Sequence, residues 1–291
     1  MVWSEGKAVM VRAGGRAPVK LGALCRRSRR GRDMTAVDKK AQVQELYGTH
    51  ARAYTTSTVH AQGASLERLV AHVAPKGHEL VLDVATGTGH NALSFAPHVR
   101  QVIGLDLTAA MLAEACGLAQ QRAMSNVCFF QGDSECLPFA NNSFDVVTCR
   151  VAPHHFPDVA SAVREMARVC HAEGCIAIVD NITPEDAEAC AYINAWETLR
   201  DPSHHWAYPL AQWRQFFQQA GLVLVYEEVT PKPMHFESWA TRMGIGEAAV
   251  AEVRRLLFDA PPLPRERLRP RFEGEEAYFD LTEALFIARK A

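Results

Sequence analysis

The sequence predicts an α/β protein built on a doubly wound parallel sheet. Short apolar segments alternate with helix-compatible segments along most of the chain, and a glycine turn joins the first strand directly to a helix. Such alternation produces a parallel sheet with right-handed crossovers and helices on its faces. The predicted strands span residues 79–84, 101–106, 127–130, 144–149 and 175–180, and the helices between them span residues 89–97, 108–122 and 158–170.

The remaining segments extend this core at both ends. Helices are expected at residues 38–47, 62–74, 185–200, 209–220, 236–242 and 246–259, a proline-rich turn at 261–264, and strands at 222–229 and 283–290. We therefore expect an N-terminal helical cap at residues 34–78. A core at residues 79–291 follows, with helical insertions at about 184–220 and 231–280.

The first 33 residues have a different composition. They contain nine lysines and arginines against only Glu5 and Asp33. An arginine-rich, acid-poor segment is typical of an organelle transit peptide or of a basic arm for nucleic acid. Because no helical or strand period is present, we instead expect residues 1–33 to be a disordered basic extension, with the working protein starting at Met34.

Length and composition fit a soluble enzyme. The 291 residues are 48% hydrophobic and 22% charged, which is enough to bury one full core. The net charge of −2 gives no general attraction to nucleic acid or to an anionic membrane. No apolar run approaches the roughly 18 residues that a membrane-spanning helix needs. The eight cysteines occur singly, so we expect no metal site and a cytoplasmic location.

The most informative motif is the strand-to-helix turn at residues 81–90, Val-Leu-Asp-Val-Ala-Thr-Gly-Thr-Gly-His. An apolar run containing Asp83 leads into a turn built on Gly87 and Gly89, where a side chain is expected to occupy space that a nucleotide-like ligand needs. The spacing Gly87-x-Gly89-x-x-Ala92 also satisfies the loose dinucleotide fingerprint, so the motif alone leaves NAD and S-adenosylmethionine open.

Two further carboxylates follow at the ends of later strands. Asp106 ends the second strand, where it can accept hydrogen bonds from both hydroxyls of a ribose. Asp133, in Gln-Gly-Asp-Ser at residues 131–134, can accept one from an exocyclic amine such as adenine N6. These blocks, in this order and spacing, resemble the class I S-adenosylmethionine-dependent methyltransferases, in their small-molecule, ubiquinone/menaquinone-methyltransferase-like branch. The resemblance covers residues 39–229 and a last strand near residue 285.

The resemblance implies a seven-stranded Rossmann-like sheet, with an antiparallel last strand between the fifth and sixth strands, and a helical lid. It also implies that Asp83 and the glycine turn hold the methionine part of S-adenosylmethionine, that Asp106 binds the ribose, and that Asp133 binds the adenine amine. The full set of expected cofactor-binding residues is Tyr54, Asp83, Ala85, Thr86, Gly87, Thr88, Gly89, Asp106, Leu107, Met111, Gly132, Asp133, Ser134 and Arg150.

One position departs from the family pattern. The turn in the family usually reads acid-x-Gly-x-Gly-x-Gly, and Ala85 replaces its first glycine. Since only positive φ strongly selects glycine, alanine is tolerated if this residue has negative φ. We therefore expect negative φ at Ala85.

Candidate catalytic residues follow the fourth strand. His154 and His155 lie in the segment Ala-Pro-His-His-Phe, and an imidazole there can take a proton from a phenol, enol or amine. Asp180 ends the adjacent fifth strand and could orient one of them. The alternative is a histidine pair that only caps a helix or bonds to backbone. A second pair, His204 and His205, is expected to be a lid or surface feature, not a metal site.

The acceptor is not identified by the sequence. Aromatic residues near the expected lid favour a ring-bearing small molecule, with Tyr54 and His60 as candidate contacts. The prediction is methyl transfer to an O, N or C atom of such a molecule by a monomer or homodimer. The alternatives are an NAD-dependent oxidoreductase and a non-catalytic S-adenosylmethionine-binding module.

Overall fold

The computed structural model describes residues 10–12, 34–55 and 63–291. Within these residues, nine strands form one sheet. They are β1 (Met10–Arg12), β2 (Leu80–Val84), β3 (Gln101–Asp106), β4 (Val127–Gln131), β5 (Phe144–Arg150), β6 (Cys170–Asn181), β7 (Leu222–His235), β8 (Arg271–Glu273) and β9 (Glu276–Lys290).

The strand order confirms the predicted fold class. The sheet runs β1-β4-β3-β2-β5-β6-β9-β7, and β8 pairs with β9. Strands β2 to β6 pair in parallel, whereas β9 is antiparallel to both of its neighbours, β6 and β7. The antiparallel last strand therefore lies where the family resemblance placed it. The order reverses beside β2, because β3 and β5 flank it, and ligands bind at such a switch point.

Helices flank the sheet and connect its strands. They are α1 (Met34–Thr55), α2 (Ala64–Val73), α3 (His90–Phe95), α4 (Ala109–Gln121), α5 (Val159–Val169), α6 (Ala187–Arg200), α7 (Leu210–Gln219), α8 (Phe236–Thr241), α9 (Glu247–Phe258) and α10 (Pro262–Leu268). Short 3₁₀ turns occur at Ala96–His98 and Pro153–His155. The helices expected from the sequence are present, although α1 is longer than predicted.

The hydrophobic core lies on both faces of the sheet. Successive strand residues point to opposite faces, so Leu82 packs with α5 and α7 while Val81 packs with α2, α3 and α4. All five residues of β2 are buried. Burial on both faces explains why this strand is a continuous apolar run apart from its carboxylate, since an alternating pattern would expose one face.

The region after residue 222 differs from the sequence prediction. β7 continues past its expected end, and β9 begins before its expected start. Residues 230–235 pair with residues 278–283, and this paired extension is called the arm. The predicted strand stopped before Pro231 and Pro233, but proline is tolerated because β7 is at the edge of the sheet. The predicted turn at residues 261–264 is also wrong. This segment forms the start of helix α10, because proline fits the first turn of a helix.

A further apolar cluster joins the arm to the helices that follow α5. Trp196 of α6, Trp239 of α8 and Phe279 of β9 lie together in it, fully or almost fully buried. The Trp196 and Trp239 rings stack with centroids 4.5 Å apart. The arm is therefore anchored by aromatic packing as well as by its strand pairing.

The N-terminal extension is described only in part. Met10–Arg12 pairs antiparallel with β4 at the sheet edge, although the whole segment was expected to be disordered. Residues 1–9 and 13–33, and the candidate contact His60, lie outside the described residues. Disorder of those stretches and the proposed domain limits stay predictions. In the described ranges, no helix is both long enough and apolar enough to cross a bilayer.

Candidate active site

The turn after β2 is organised by the Asp83 carboxylate. Thr86 Oγ1 donates to Asp83 Oδ2 at 2.5 Å, and Asn91 Nδ2 donates to Oδ1 at 2.6 Å. Burial raises the pKa of Asp83 to about 6, and these two hydrogen bonds oppose the rise. The side chain lines a cavity at the carboxyl ends of the parallel strands, and its first role is to fix the turn.

Ala85 does not have the expected conformation. Its φ is +54°, in the left-handed region, because the next residue turns back and Thr86 N donates to Leu105 O of β3 at 2.9 Å. Val151, directly after β5, also has positive φ, +52°. A left-handed L-residue costs roughly 1–2 kcal/mol. Both residues line the cavity, so two of the six left-handed non-glycine residues in the described part of the chain are at this site.

The two glycines of the turn have different roles. Both have positive φ, +56° at Gly87 and +85° at Gly89. Gly87 lines the cavity, whereas a Cβ at Gly89 would lie 3.0 Å from Ala115 Cβ and 3.2 Å from Phe129 Cζ. The expectation that both glycines clear space for a ligand is therefore wrong for Gly89. That glycine allows the turn to pack against α4 and β4.

Asp106 is held at the end of β3 by backbone donors. Gly87 N donates to Oδ2 and Thr108 N donates to Oδ1, each at 2.8 Å. Burial raises the pKa of this carboxyl, opposed by the two backbone hydrogen bonds. Leu107, which follows β3, and Met111, in α4, also line the cavity.

Asp133 lies at the rim, after β4, beside Gly132 and Ser134. Its Oδ1 accepts from Glu135 N at 2.9 Å, and its Oδ2 pairs with Lys40 Nζ of α1 at 2.8 Å. Lys40 also pairs with Glu135, at 2.6 Å. The sequence prediction missed Lys40, because the ion pair joins positions 93 residues apart. The two ion pairs fasten α1 over this side of the cavity.

His154 and Asp180 form a buried dyad. His154 Nδ1 donates to Asp180 Oδ1 at 2.6 Å. His154 lines the cavity, while Asp180 is behind it and 1% exposed. Burial alone would lower the pKa of His154, but the carboxylates of Asp180, Glu197 and Asp201 raise it above the ordinary value. No described residue is hydrogen-bonded to His154 Nε2.

His155 also lines the cavity, but both of its ring nitrogens are occupied. Nδ1 is 3.2 Å from Ser203 O, a carbonyl that can only accept, so Nδ1 donates and Nε2 accepts from Tyr47 Oη at 2.7 Å. Burial and the neighbouring His154 lower the pKa of His155. The structure therefore gives the two adjacent histidines different environments, with His155 neutral and engaged between α1 and the linker after α6.

The second histidine pair lies in that same linker. His204 is 2% exposed and donates through Nε2 to Asn194 Oδ1 at 2.7 Å. The backbone amides of His205 and Trp206 donate to His154 O at 2.8 and 2.9 Å. The linker thus supports the loop that carries His154. In the described part of the chain, no group of three or more His, Cys, Asp or Glu side chains could hold a metal ion.

The cavity has two halves. The inner half is formed by the turns after β2, β3 and β4 and contains the expected cofactor residues apart from Gly89, with Arg150 and Tyr54 at its border. Arg150 Nε donates to Ser65 Oγ at 3.0 Å. The outer half comes from α1, β6, α6, the arm and the end of α8. The sequence predicted aromatic covering segments before the first strand and after the fifth, but not the arm. The residues of the outer half include Tyr47, Asn181, Glu197, Arg200, Asp201, Lys232, Met234, Trp239, Arg242 and Leu281.

Comparisons with known proteins match this architecture. Residues 82–178 match the family model of the methyltransferase domain. YcgJ of Bacillus subtilis, named an uncharacterised methyltransferase, is 38% identical over 68% of this chain and 78% of YcgJ. The crystal structure of YcgJ has a TM-score of 0.75 at 34% identity, covering 78% of this chain and 98% of that one. A solved structure from Bacillus halodurans has a TM-score of 0.74 at 36% identity, covering 78% and 99%.

A third relative has a named reaction. The ubiquinone/menaquinone biosynthesis C-methyltransferase of Bdellovibrio bacteriovorus is 36% identical over 39% of this chain and 49% of its own length.

Proposed function

The chain belongs to the class I methyltransferase family, and on that premise we propose that it transfers a methyl group from S-adenosylmethionine to a small-molecule acceptor. The observation that carries the proposal is the convergence of Asp83, Asp106 and Asp133 on one cavity that also contains His154. The three carboxylates follow neighbouring strands, β2, β3 and β4. Had they faced separate surfaces, a single adenosyl ligand could not contact them together.

The inner half fits S-adenosylmethionine in shape and in hydrogen-bonding groups. Gly87 leaves open backbone beside Met111, whose Cε would be 3.4 Å from an added Cβ. Asp106 would bind the ribose hydroxyls, Asp133 the adenine amine, and the turn at Asp83 the methionine part. When bound, the cofactor would supply a methyl group carried on a positively charged sulfur. The acceptor atom would bond to the methyl carbon, and the sulfur would keep the electron pair of the broken bond.

The protein's part in the reaction is alignment and proton removal. We assign the general base to His154, because Asp180 holds Nδ1 and leaves Nε2 available to accept a proton from the acceptor. His155 is assigned a positioning role, since its two nitrogens already have partners. Asp180 acts only through His154.

The acceptor is proposed to be a ring-bearing molecule held in the outer half. Tyr47, Tyr54 and Trp239 supply aromatic surface there. A monomer or homodimer in the cytoplasm stays a prediction, with no nucleic acid or membrane partner expected.

Calorimetry with S-adenosylmethionine, S-adenosylhomocysteine and NADH tests the donor. We expect both sulfur compounds to bind and NADH not to compete. A tritiated-methyl assay over a metabolite extract then tests the reaction. Binding of NADH in place of the sulfur compounds would favour the oxidoreductase alternative, and cofactor binding without any transfer would favour a non-catalytic module.

A further inference from the structure

Arg242 is a cation of the cavity that lacks a carboxylate partner. It follows α8 and lines the outer half, and no residue in the described ranges forms a hydrogen bond or an ion pair with it. Three other lining cations have a carboxylate within ion-pair distance: Lys40 with Asp133, Arg200 with Asp201 at 3.4 Å, and Lys232 with Glu283 at 3.3 Å. The Arg242 guanidinium is therefore available to a ligand.

The surroundings of Arg242 favour an anion. Burial lowers its pKa, and the like charge of Arg200 lowers it further. A guanidinium nevertheless stays protonated in proteins, so the positive charge remains. Its planar fork matches the two oxygens of a carboxylate, and such a pair is among the strongest hydrogen-bonded contacts available to a side chain. A bound carboxylate would offset the repulsion between the two arginines.

The aromatic and acidic groups nearby are poorly suited to a cation. The Trp239 ring already stacks on Trp196, and Arg200 Cζ is 4.9 Å from its centroid. Glu197 is buried, and burial raises the pKa of its carboxyl although His154 and Arg200 lower it. The net rise favours the neutral carboxyl. No hydrogen bond within the described residues joins Glu197 to Arg200 or Arg242. Asp201 is already paired with Arg200, so an ammonium group here would instead meet the Arg242 guanidinium.

Asn181 indicates a second group on the ligand. It follows Asp180 at the end of β6, lines the cavity and is 6% exposed. Its Oδ1 is buried without a hydrogen-bond donor in the described part of the chain. A buried carbonyl without a partner costs about 1–3 kcal/mol, so a ligand hydroxyl that donates to it would be stabilised there. Asn181 and His154 line the same cavity, so one ligand can reach both the acceptor atom and the proposed base.

We propose that the methyl acceptor is a hydroxylated, ring-bearing carboxylic acid. Its carboxylate binds Arg242, and its hydroxyl donates to Asn181 Oδ1 in the cavity that His154 also lines. The inference rests on the proposed methyl-transfer function and adds the acceptor's charge and its hydrogen-bonding group. It also gives a role to Arg242, a cavity arginine without a carboxylate partner among the described residues.

The first experiment separates acceptors by charge. A metabolite extract is divided by ion exchange into anionic, neutral and cationic fractions, and each is incubated with the full chain and tritiated-methyl S-adenosylmethionine. We expect labelled product from the anionic fraction. Labelling confined to the neutral or cationic fractions would overturn this inference but leave methyl transfer intact. No labelling from any fraction, despite cofactor binding, would count against the proposed function itself.

The second experiment tests Arg242 directly. Arg242→Gln should lower labelling of the anionic fraction by roughly 10- to 100-fold, the usual loss for one charged hydrogen-bonding partner. Its affinity for S-adenosylhomocysteine, measured by calorimetry, should not change. Arg255→Gln, at an exposed site on α9, is the matched control and should behave as the unchanged chain. Loss of S-adenosylhomocysteine affinity in Arg242→Gln would instead assign this arginine to the cofactor and overturn the inference.

The third experiment tests the charge with matched probes, 4-hydroxyphenylacetate, its amide and tyramine. These share a ring and a hydroxyl and differ in the charge of the side group. In competition with labelling of the anionic fraction, the carboxylate should inhibit at least tenfold better than the other two, and Arg242→Gln should remove that preference. A preference for tyramine, or equal inhibition by all three, would contradict an anion site.

Discussion

The inner and outer halves of the cavity are built from different kinds of sequence. The inner half uses short turns, each following directly on a parallel strand, so its carboxylates are local features of three sequence blocks. The outer half combines α1, α6, α8 and the arm, whose residues are far apart along the chain. Tyr47 and His155, for example, are 108 positions apart but share a hydrogen bond. The half proposed to bind the donor is thus encoded in compact motifs, whereas the half proposed to hold the acceptor depends on tertiary packing.

The largest expected effect is at the boundary between the halves. His154→Ala should lower kcat by roughly 100- to 10,000-fold, because it removes the group assigned to take the acceptor's proton. Cofactor affinity should stay normal, since the inner half is unchanged. Steady-state kinetics and calorimetry measure the two quantities, with His98→Ala at an exposed position as the control. Near-normal turnover in His154→Ala would remove the general base from the mechanism.

A substitution in the inner half should weaken binding of the cofactor. Asp106→Asn keeps the size of the side chain but loses a charged acceptor of about 1.5–3 kcal/mol. We expect S-adenosylhomocysteine to bind roughly 10- to 100-fold more weakly by calorimetry. Asp259→Asn, at an exposed carboxylate that caps the C-terminus of α9, should leave the affinity unchanged. If Asp106→Asn bound the cofactor normally, the division of the cavity into two functional halves would be incorrect.

The dyad should be visible in the pH dependence. His154 accepts a proton only when it is neutral. Burial lowers the pKa of His154, but Asp180 and two further carboxylates raise it by more, so its pKa lies above the ordinary value. Activity should therefore fall as the pH drops through a pKa above the usual value of about 6.5. Asp180→Asn should lower kcat and also shift that limb of the kcat/KM profile to lower pH. A limb that does not move would show that Asp180 has no influence on the titrating group.

The smallest expected effect concerns stability. Ala85→Gly relieves a left-handed alanine, which costs roughly 1–2 kcal/mol, but adds about 0.5–1 kcal/mol of unfolded-chain entropy. We expect a net gain of about 0.5–1 kcal/mol in the free energy of unfolding, measured with urea. Ala211→Gly, at an exposed position in helix α7, has no such strain and should be destabilising. A loss of stability in Ala85→Gly would mean that Ala85 does not adopt the left-handed conformation.

The same contrast explains what could be predicted from sequence. Strand alternation and the positions of Asp83, Asp106 and Asp133 are set by local patterns. The predicted place of the antiparallel last strand was confirmed, although the sheet has nine strands among the described residues and not seven. The conformation of Ala85 could not be read locally, because a hydrogen bond between Thr86 N and β3 dictates it. The arm was missed because Pro231 resembles a strand breaker unless its strand is known to be at an edge.

The arm also has an evolutionary consequence. It extends two strands of the core and carries Lys232, Met234 and Leu281 to the outer half of the cavity, while the motifs proposed to contact the donor lie in the inner half. Substitutions along these extensions, or in the helices that close them, can alter selectivity without disturbing the adenosyl site. One ancestral donor platform could in this way diversify into enzymes for many metabolites.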